Sequence, residues 1–481
     1  MPESIRIDVE TLFACHPFAR EILGRLTGAG HRAVLNGGVV RDGVRSLLDP
    51  DVLFEPTDVD IATSASPDEV RRLFRDRPVV GVGEAFGVLV VVGPSGTPYE
   101  VATFRAEGDY DGRWPGKVEL VGDVEADVKR RDLTINGLVA TPDGTVIDLV
   151  GGVEDLKAGR IRTIGDPLAR FREDHLRMLR AIRFACQVGG EIDPATEGAI
   201  RDLAPSIVSV SWERIRDEVL RTLATGQSAR GVRLWGELGL LCLILPEVAA
   251  MRGVPQPEAY HPEGDVYVHT LLALEVADRF VRDPLVKLAI LLHDVGKPYA
   301  LERAGGQNMA GHCAVGARMV ERIAARLRLS RSEIARLVFL VRNHMRIADL
   351  PEMGRGKQVR FVSEGEVPGA RSLRERYPSF FDLLQLLVAD CEASAHRESG
   401  WAPILRETLR IADHIDRVGS LARARALIDG HALVALGMRP GRDLGAVLER
   451  LHDRILAGEI TSREEALAEA RRAVARQSDG T

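Results

Sequence analysis

Long apolar runs, lysine and cysteine are all scarce in this 481-residue chain. No stretch approaches the roughly 18–20 apolar residues that a membrane span needs, and the run Leu288–Leu292 stops at His293. A membrane partner is therefore not expected. Met1–Glu10 carries no basic segment followed by an apolar one, so a cytoplasmic rather than a secreted protein is expected. The five cysteines (Cys15, Cys186, Cys242, Cys313, Cys391) are widely spaced and form no CxxC, which reads as reduced thiols with no disulfide partner and no zinc site. Aromatic residues make up 5%, but hydrophobic residues reach 45% and charged ones 28%, which excludes a disordered or collagen-like chain. At about 150 residues per domain, the length predicts roughly three units.

The net charge of −6 argues against an evenly basic nucleic-acid coat, yet it hides a patch. Between Arg160 and Arg183 seven arginines face only Asp166, Glu173 and Asp174. Only six of the 64 basic residues are lysine, a bias given no functional weight here.

Up to about Gly152 the chain mixes β-rich runs with turns. Arg32–Asn36, Val79–Val92 and Tyr99–Phe104 read as strands, with a hairpin turn at residues 93–96. Beyond Glu154 helical spacing dominates, through Glu173–Gln187, Trp212–Thr225, His269–Phe280, Leu285–Leu292, Ala317–Leu327, Ser332–His344 and Phe380–Glu392. A Pro- and Gly-rich stretch, Glu247–Asp265, marks one boundary, and a softer one falls near Gly400. These limits divide the chain into 1–152, 153–250, 251–400 and 401–481.

Two constellations carry chemistry. In the first, Gly37-Gly38-Val39-Val40-Arg41-Asp42 follows an apolar strand and leads into a helix ending near Leu48. Such a turn serves either as a plain strand end or as a cradle in which backbone N–H groups approach an anion and Arg41 forks onto phosphate oxygens. Then comes Asp58-Val59-Asp60. On a strand, residues i and i+2 share a face, so both carboxylates point one way and need a cation between them. Glu100 in a β-like run is either a third metal-facing carboxylate or a surface residue. Arg131, Asp132 and Asn136 precede and enter an apolar turn. Further on, RFREDHLRMLRAIR places Glu173 and Asp174 within a helical turn of Arg177, with Arg180 beyond. That grouping reads either as helix salt bridges or as a donor and acceptor edge for a nucleobase.

In this order the motifs resemble the class II tRNA nucleotidyltransferases (CCA-adding enzymes) and the related bacterial poly(A) polymerases, over about Leu35–Leu223. The resemblance implies an α+β fold: a polymerase-beta-type head with a mixed sheet, then an all-helical neck, an HD domain and a helical tail. It implies that Asp58 and Asp60 are catalytic and bind Mg²⁺, that Gly37, Gly38 and Arg41 hold the triphosphate, and that Asp42 belongs to the nucleotide-binding set. Arg131, Asp132 and Asn136 would contact the rest of the nucleotide, and Glu173, Asp174, Arg177 and Arg180 would choose CTP or ATP. Glu107–Val121 resembles the flexible loop needed for A addition, and Trp212–Glu218 a helical motif that braces the neck. Leu133 and Gly137 stand where Phe and Ala are usual, which implies altered packing only.

In the second constellation, five of the twelve histidines crowd between His261 and His344. His269, His293-Asp294, His312, His344 and Asp390 resemble the two-metal form of the HD phosphohydrolases. That implies a divalent transition metal or Mg²⁺ and attack of water on a phosphoester. The segments Ile428–His431 and Gly437–Gly441 resemble the tail that follows such domains. The expected partners are tRNA, CTP and ATP; no oligomeric state follows from the sequence. Poly(A) or A-only addition is the nearest alternative. A mainly hydrolytic HD protein with an RNA-binding front half is a second, and a non-catalytic RNA scaffold a third.

Overall fold

The computed structural model describes residues 5–83, 87–111, 114–367, 370, 372–395 and 397–478. The chain divides into two compact units, Met1–Ile244 and Leu245–Thr481. The division falls just before the Glu247–Asp265 stretch.

Up to Ile147 the first unit forms the strands β1 (Ala33–Asn36), β2 (Asp60–Thr63), β3 (Val79–Gly83), β4 (Val88–Val92), β5 (Pro98–Thr103), β6 (Arg105–Asp111), β7 (Trp114–Leu120), β8 (Val139–Ala140) and β9 (Val146–Ile147), and Arg160–Ile161 pairs with Glu191–Ile192 in a separate two-stranded sheet. Seven of them make one mixed sheet in the order β3-β4-β5-β2-β1-β8-β9, with only β2 and β5 parallel. The Val79–Val92 run, expected as a single strand, is a pair of antiparallel strands; residues 84–86 lie outside the described residues. The turn at 93–96 closes as expected, with Gly93 N–H donating to Thr97 O and Gly96 N–H to Gly93 O. Glu107–Val121 falls mostly on the hairpin of β6 and β7, and residues 112–113 lie outside the described residues.

Strand alternation sorts side chains between the two faces of the sheet. Leu35, Ile61, Leu89 and Val101 join the main core with Phe18, Ile22 and Leu26 of helix Pro17–Gly28 and Val40 and Val44 of helix Gly38–Leu48. Val34, Ala62 and Val139 turn the other way, into a smaller cluster with Phe104 and Val128. Residues two positions from Val34 and Ala62, namely Asn36 and Asp60, therefore belong to the face that the main core does not use.

The neck is mainly helical from Pro167 to Glu237, interrupted by the short strand Glu191–Ile192, but the expected helix Glu173–Gln187 is broken. One helix ends at Glu173, Asp174 is extended (φ −154°, ψ 105°), and a second runs Leu176–Val188. Asp174 is thus not a helical neighbour of Arg177. Its side chain instead accepts from Leu176 N–H at 3.1 Å, in the turn between the two helices.

The second unit is built around helix Pro284–Leu292, in which every residue from Leu285 to Leu292 is buried. Even Lys287 lies inside, its Nζ 2.6 Å from Asp278 Oδ1. Helices Val266–Ala277, Arg331–Asn343 and Pro378–Glu392 pack around it. Helix Arg397–Val418 runs straight through position 400, so the softer boundary expected there is interior to a helix. Among the described residues no helix is long and apolar enough to cross a membrane.

Two backbone segments touch at Gly296, where an added Cβ would stand 2.2 Å from His312 O and 2.6 Å from Gly316 N. Only glycine permits this approach, which sets the start of helix His312–Arg326 against the His293-Asp294 turn. Gly296→Ala is expected to cost the second unit about 1–3 kcal/mol, read as a lower melting midpoint by circular dichroism.

Candidate functional sites

The first site forms where three strands share a register. Asn36 of β1 pairs with Asp60 of β2, and Asp60 pairs with Glu100 of β5, so the three side chains stand in one row. Asp58 precedes β2 rather than lying on it. It is exposed, while Val59 is buried in the core, so Asp58 and Asp60 face the same cavity without sharing a strand. Burial together with the charges of Glu100 and Asp58 pushes the Asp60 carboxyl up to about 6. Burial raises Glu100 as well. Glu100, left open between two roles by the sequence, is therefore placed beside Asp60.

The cavity measures about 850 Å³ and is lined by six carboxylates and nine arginines. Gly37 (φ 71°) sits at the start of helix Gly38–Leu48, and a Cβ there would lie 3.2 Å from Asp60 Oδ2. Gly38, Arg41, Arg131, Asp132, Asn136, Asp174, Arg177 and Arg180 also line it, whereas Asp42 and Glu173 do not. Arg41 is buried, and its fork is already committed: Nε and Nη2 donate to Asp42 at 2.9 and 2.7 Å, and Nη1 to Asn136 Oδ1 at 3.1 Å. Arg131 donates to Asn36 Oδ1 at 3.2 Å and to Asp127 at 2.8 Å. Asp132 accepts from Arg180 Nε at 2.6 Å and from Asn136 Nδ2 at 3.2 Å. Burial alone would raise its pKa, but the Arg180 charge and hydrogen bond hold it well below the usual carboxylate range.

Glu173 accepts from Arg170 and Arg177, turned away from the cavity. Asp174 instead takes a two-pronged bond from Arg214, at 2.6 and 3.1 Å. Arg214 belongs to the Trp212–Glu218 segment, and Glu218 two residues below Arg216 accepts from Arg183 at 2.7 Å. That segment thus braces the cavity through ion pairs. Asn36 and Asp127 were not singled out from the sequence, because their partners lie up to 95 positions away, and Arg214 entered only as part of the Trp212–Glu218 motif.

The second site gathers all six residues of the HD constellation. His293, His312 and His344 each donate Nδ1–H to a backbone carbonyl (Ile290, Met309 and Val341, at 2.7, 3.0 and 2.8 Å), which turns each Nε2 inward. Asp294 lies between them: Oδ2 is 3.1 Å from His293 Nε2, and Oδ1 is 3.4 and 3.7 Å from His312 and His344. His269 donates toward Asp390 Oδ1 at 2.9 Å. Asp294 is buried; its Oδ1 accepts no hydrogen bond while Oδ2 is ion-paired with Lys297, and His293 Nε2 has no hydrogen-bond partner. Burial would raise the Asp294 carboxyl, but the charges of His293 and Lys297 hold it well below its usual value. Burial and the neighbouring His293 push His344 down to about 4. Unsatisfied buried nitrogen and oxygen lone pairs converging on one region are what a divalent ion relieves, so the donor set fits a metal. The oxygen-only set around Asp60 fits a harder cation.

Two further groups emerge only in three dimensions. Glu263 Oε1 accepts from Nδ1 of His269 at 2.7 Å and of His261 at 2.8 Å, fixing the His269 ring. Lys297 Nζ stands 2.6 Å from Asp294 Oδ2 and donates to Gln256 at 2.6 Å. A mostly apolar cavity of about 670 Å³ opens beside Asp294, Lys297, His312, His344 and Asp390. All five cysteines are free thiols.

Comparison with known proteins matches residues 33–162 to the poly A polymerase head domain, 190–252 to a probable RNA and SrmB-binding site of polymerase A, and 266–418 to the HD domain. The CCA-adding enzyme of Leuconostoc mesenteroides is 43% identical over 217 residues, 45% of this chain and 52% of that protein. That of Bacillus subtilis is 45% identical over 213 residues, 44% of this chain and 51% of that protein. The chain thus spans about half the length of the relatives it matches. Among solved structures, the Bacillus stearothermophilus CCA-adding enzyme in complex with CTP superposes with a TM-score of 0.66 at 24% identity, covering 96% of this chain and 98% of that one. The Thermotoga maritima CCA-adding enzyme complexed with tRNA gives 0.52 at 19%, covering 98% and 97%. These likenesses establish the fold. Nucleotidyltransferase and HD domains use divalent metals.

Two measurements follow from this geometry. Because the folded Asp132 carboxyl is held low, its contribution to stability is complete above the unfolded value of about 4 and fades as pH falls below it. The stability gap between wild type and Asp132→Asn, measured by urea unfolding, should therefore be widest near pH 6 and shrink toward pH 3. Glu263→Ala should weaken divalent-ion binding by the second unit about 10- to 100-fold in calorimetric titration.

Proposed function

We propose that this chain, which carries a poly A polymerase head, a polymerase RNA-binding region and an HD domain, adds the terminal C, C and A of tRNA from CTP and ATP without a nucleic-acid template. Its second unit hydrolyses a phosphoester. The observation that carries the first half is the register row Asn36–Asp60–Glu100, with Asp58 beside it, under the glycine-led start of a helix. Relatives named CCA-adding enzymes, and structures of such enzymes with CTP, ATP and tRNA, support the same reading.

Asp58, Asp60 and Glu100 would hold Mg²⁺, which when bound activates the attacking 3′-hydroxyl and stabilises the leaving pyrophosphate. The amides at Gly37 and Gly38 face the triphosphate, where the absence of a Cβ lets it approach the carboxylates. Asp174, clamped by Arg214, and Arg177, clamped by Glu173, offer a rigid acceptor and donor edge to the incoming base. Glu173 acts in this reading through Arg177 and not by touching the nucleotide. Arg180 and Asp132 form the wall next to that edge, while Arg41 and Asp42 stiffen the glycine turn from behind. The arginines of the neck would hold the tRNA backbone, with affinity falling as salt rises.

In the second unit His269, His293, Asp294, His312, His344 and Asp390 would hold divalent ions, which polarise the phosphoester and supply its nucleophile. Lys297, buried in the cavity wall, pairs with Asp294. We read the chain as a head to about residue 152, a neck to about 250, an HD domain to about 418 and a helical tail to 481, working in the cytoplasm.

The test supplies tRNA transcripts ending before CCA, at C or at CC with labelled CTP and ATP. Ordered addition of C, C and A that then stops is expected; a long A ladder would instead mark a poly(A) polymerase, and no incorporation would overturn the reading. Asp60→Ala should lower incorporation by about a thousandfold or more, about 4 kcal/mol of barrier, and spare hydrolysis of a phosphodiester probe. His293→Ala should do the reverse.

A further inference from the structure

One donor of the second site escapes the family pattern. Cys313 directly follows His312 at the start of helix His312–Arg326, and its Sγ stands 3.5 Å from Nε2 of His312 and 4.0 Å from Nε2 of His344. Those two nitrogens are 3.2 Å apart, and Asp294 Oδ1 is 3.4 and 3.7 Å from them. Both rings spend Nδ1–H on backbone carbonyls, so two nitrogen lone pairs face each other with no hydrogen between them. Asp294 Oδ1 is buried and accepts no hydrogen bond. The two nitrogens and the sulfur thus form one group of potential ligands, and Asp294 Oδ1 adjoins both nitrogens.

Their spacing is diagnostic. An ion bound tetrahedrally at about 2.0–2.1 Å from nitrogen or oxygen and about 2.3 Å from sulfur sets its donors about 3.3–3.6 Å apart. The five separations given above, 3.2 to 4.0 Å, bracket that range. Magnesium asks for near-octahedral oxygen ligands and does not favour sulfur.

We propose that Cys313 is a metal ligand, and that with Asp294, His312 and His344 it makes this half of the HD site a tetrahedral site for an ion of the zinc or cobalt class. On binding, the thiol releases its proton to solvent and a sulfur–metal bond forms. The proposal rests on the metal-dependent hydrolase reading of the second unit and extends it to the identity of one ion.

The experiment strips the full-length protein with a chelator and titrates it with Co²⁺. Wild type should show a near-ultraviolet sulfur-to-cobalt charge-transfer band together with the intense visible bands of tetrahedral cobalt. Cys313→Ser and Cys313→Ala should still bind cobalt through the imidazoles but lose the near-ultraviolet band. Each should weaken Zn²⁺ binding at least about tenfold and change Mn²⁺ binding by less than about twofold. Cys391→Ser, which alters the thiol that lines the neighbouring cavity, should keep the band. Cobalt bound without that band in wild type, or a band that survives in Cys313→Ser, would overturn the assignment and leave the hydrolase reading standing. Failure of both wild type and variants to bind cobalt would overturn both.

Discussion

Electrostatic repulsion held in place by strand register organises the first unit. Asp60 and Glu100 cannot move apart, because the parallel pairing of β2 and β5 fixes them side by side, and Asp58 enters from the segment just ahead. Their burial and mutual repulsion show in the raised pKa of Asp60. The rest of the cavity answers this negative centre. Arginines surround it, but most are already paired with Asp127, Asp132, Asp174 or Glu173, so they form a stiff wall whose own charge is largely balanced. What remains unbalanced is the row itself, which is where a cation and a triphosphate fit.

The second unit solves a related problem with nitrogen. A helix buried on all sides delivers His293 and Asp294 at its end, and three backbone carbonyls orient three imidazoles onto Asp294. Gly296 permits the approach that brings His312 within reach. Here buried lone pairs, rather than buried charge alone, create the demand for an ion. The two sites therefore call for different metals, one set by oxygen alone and the other by nitrogen, oxygen and one sulfur.

Much of this was legible in the sequence where the signal is local. Alternating apolar residues marked the strands, and the glycine pair with Asp58 and Asp60 marked the first site. The six HD residues were equally visible, because each closes or opens a helix. What stayed hidden depends on contacts between distant segments. Glu100 could not be assigned because the register between β2 and β5 spans 40 positions of intervening chain. The break at Asp174 was masked by a sequence whose apolar spacing is helical on both sides; the extended residue is stabilised by Arg214, which no local pattern announces. Arg41 carried the right chemistry for phosphate, yet its neighbour Asp42 takes up the fork. Glu263 and Cys313 were passed over because an acid near a histidine, or a solitary thiol, means little until the rings it touches are placed.

The most direct test of the central claim is anomalous scattering from a crystal of the full-length protein soaked with Mn²⁺ and CTP. The account predicts a manganese peak between Asp58, Asp60 and the nucleotide phosphates, with the triphosphate against Gly37 and Gly38. Nucleotide bound elsewhere, or bound in this cavity with no manganese at the carboxylate row, would contradict it.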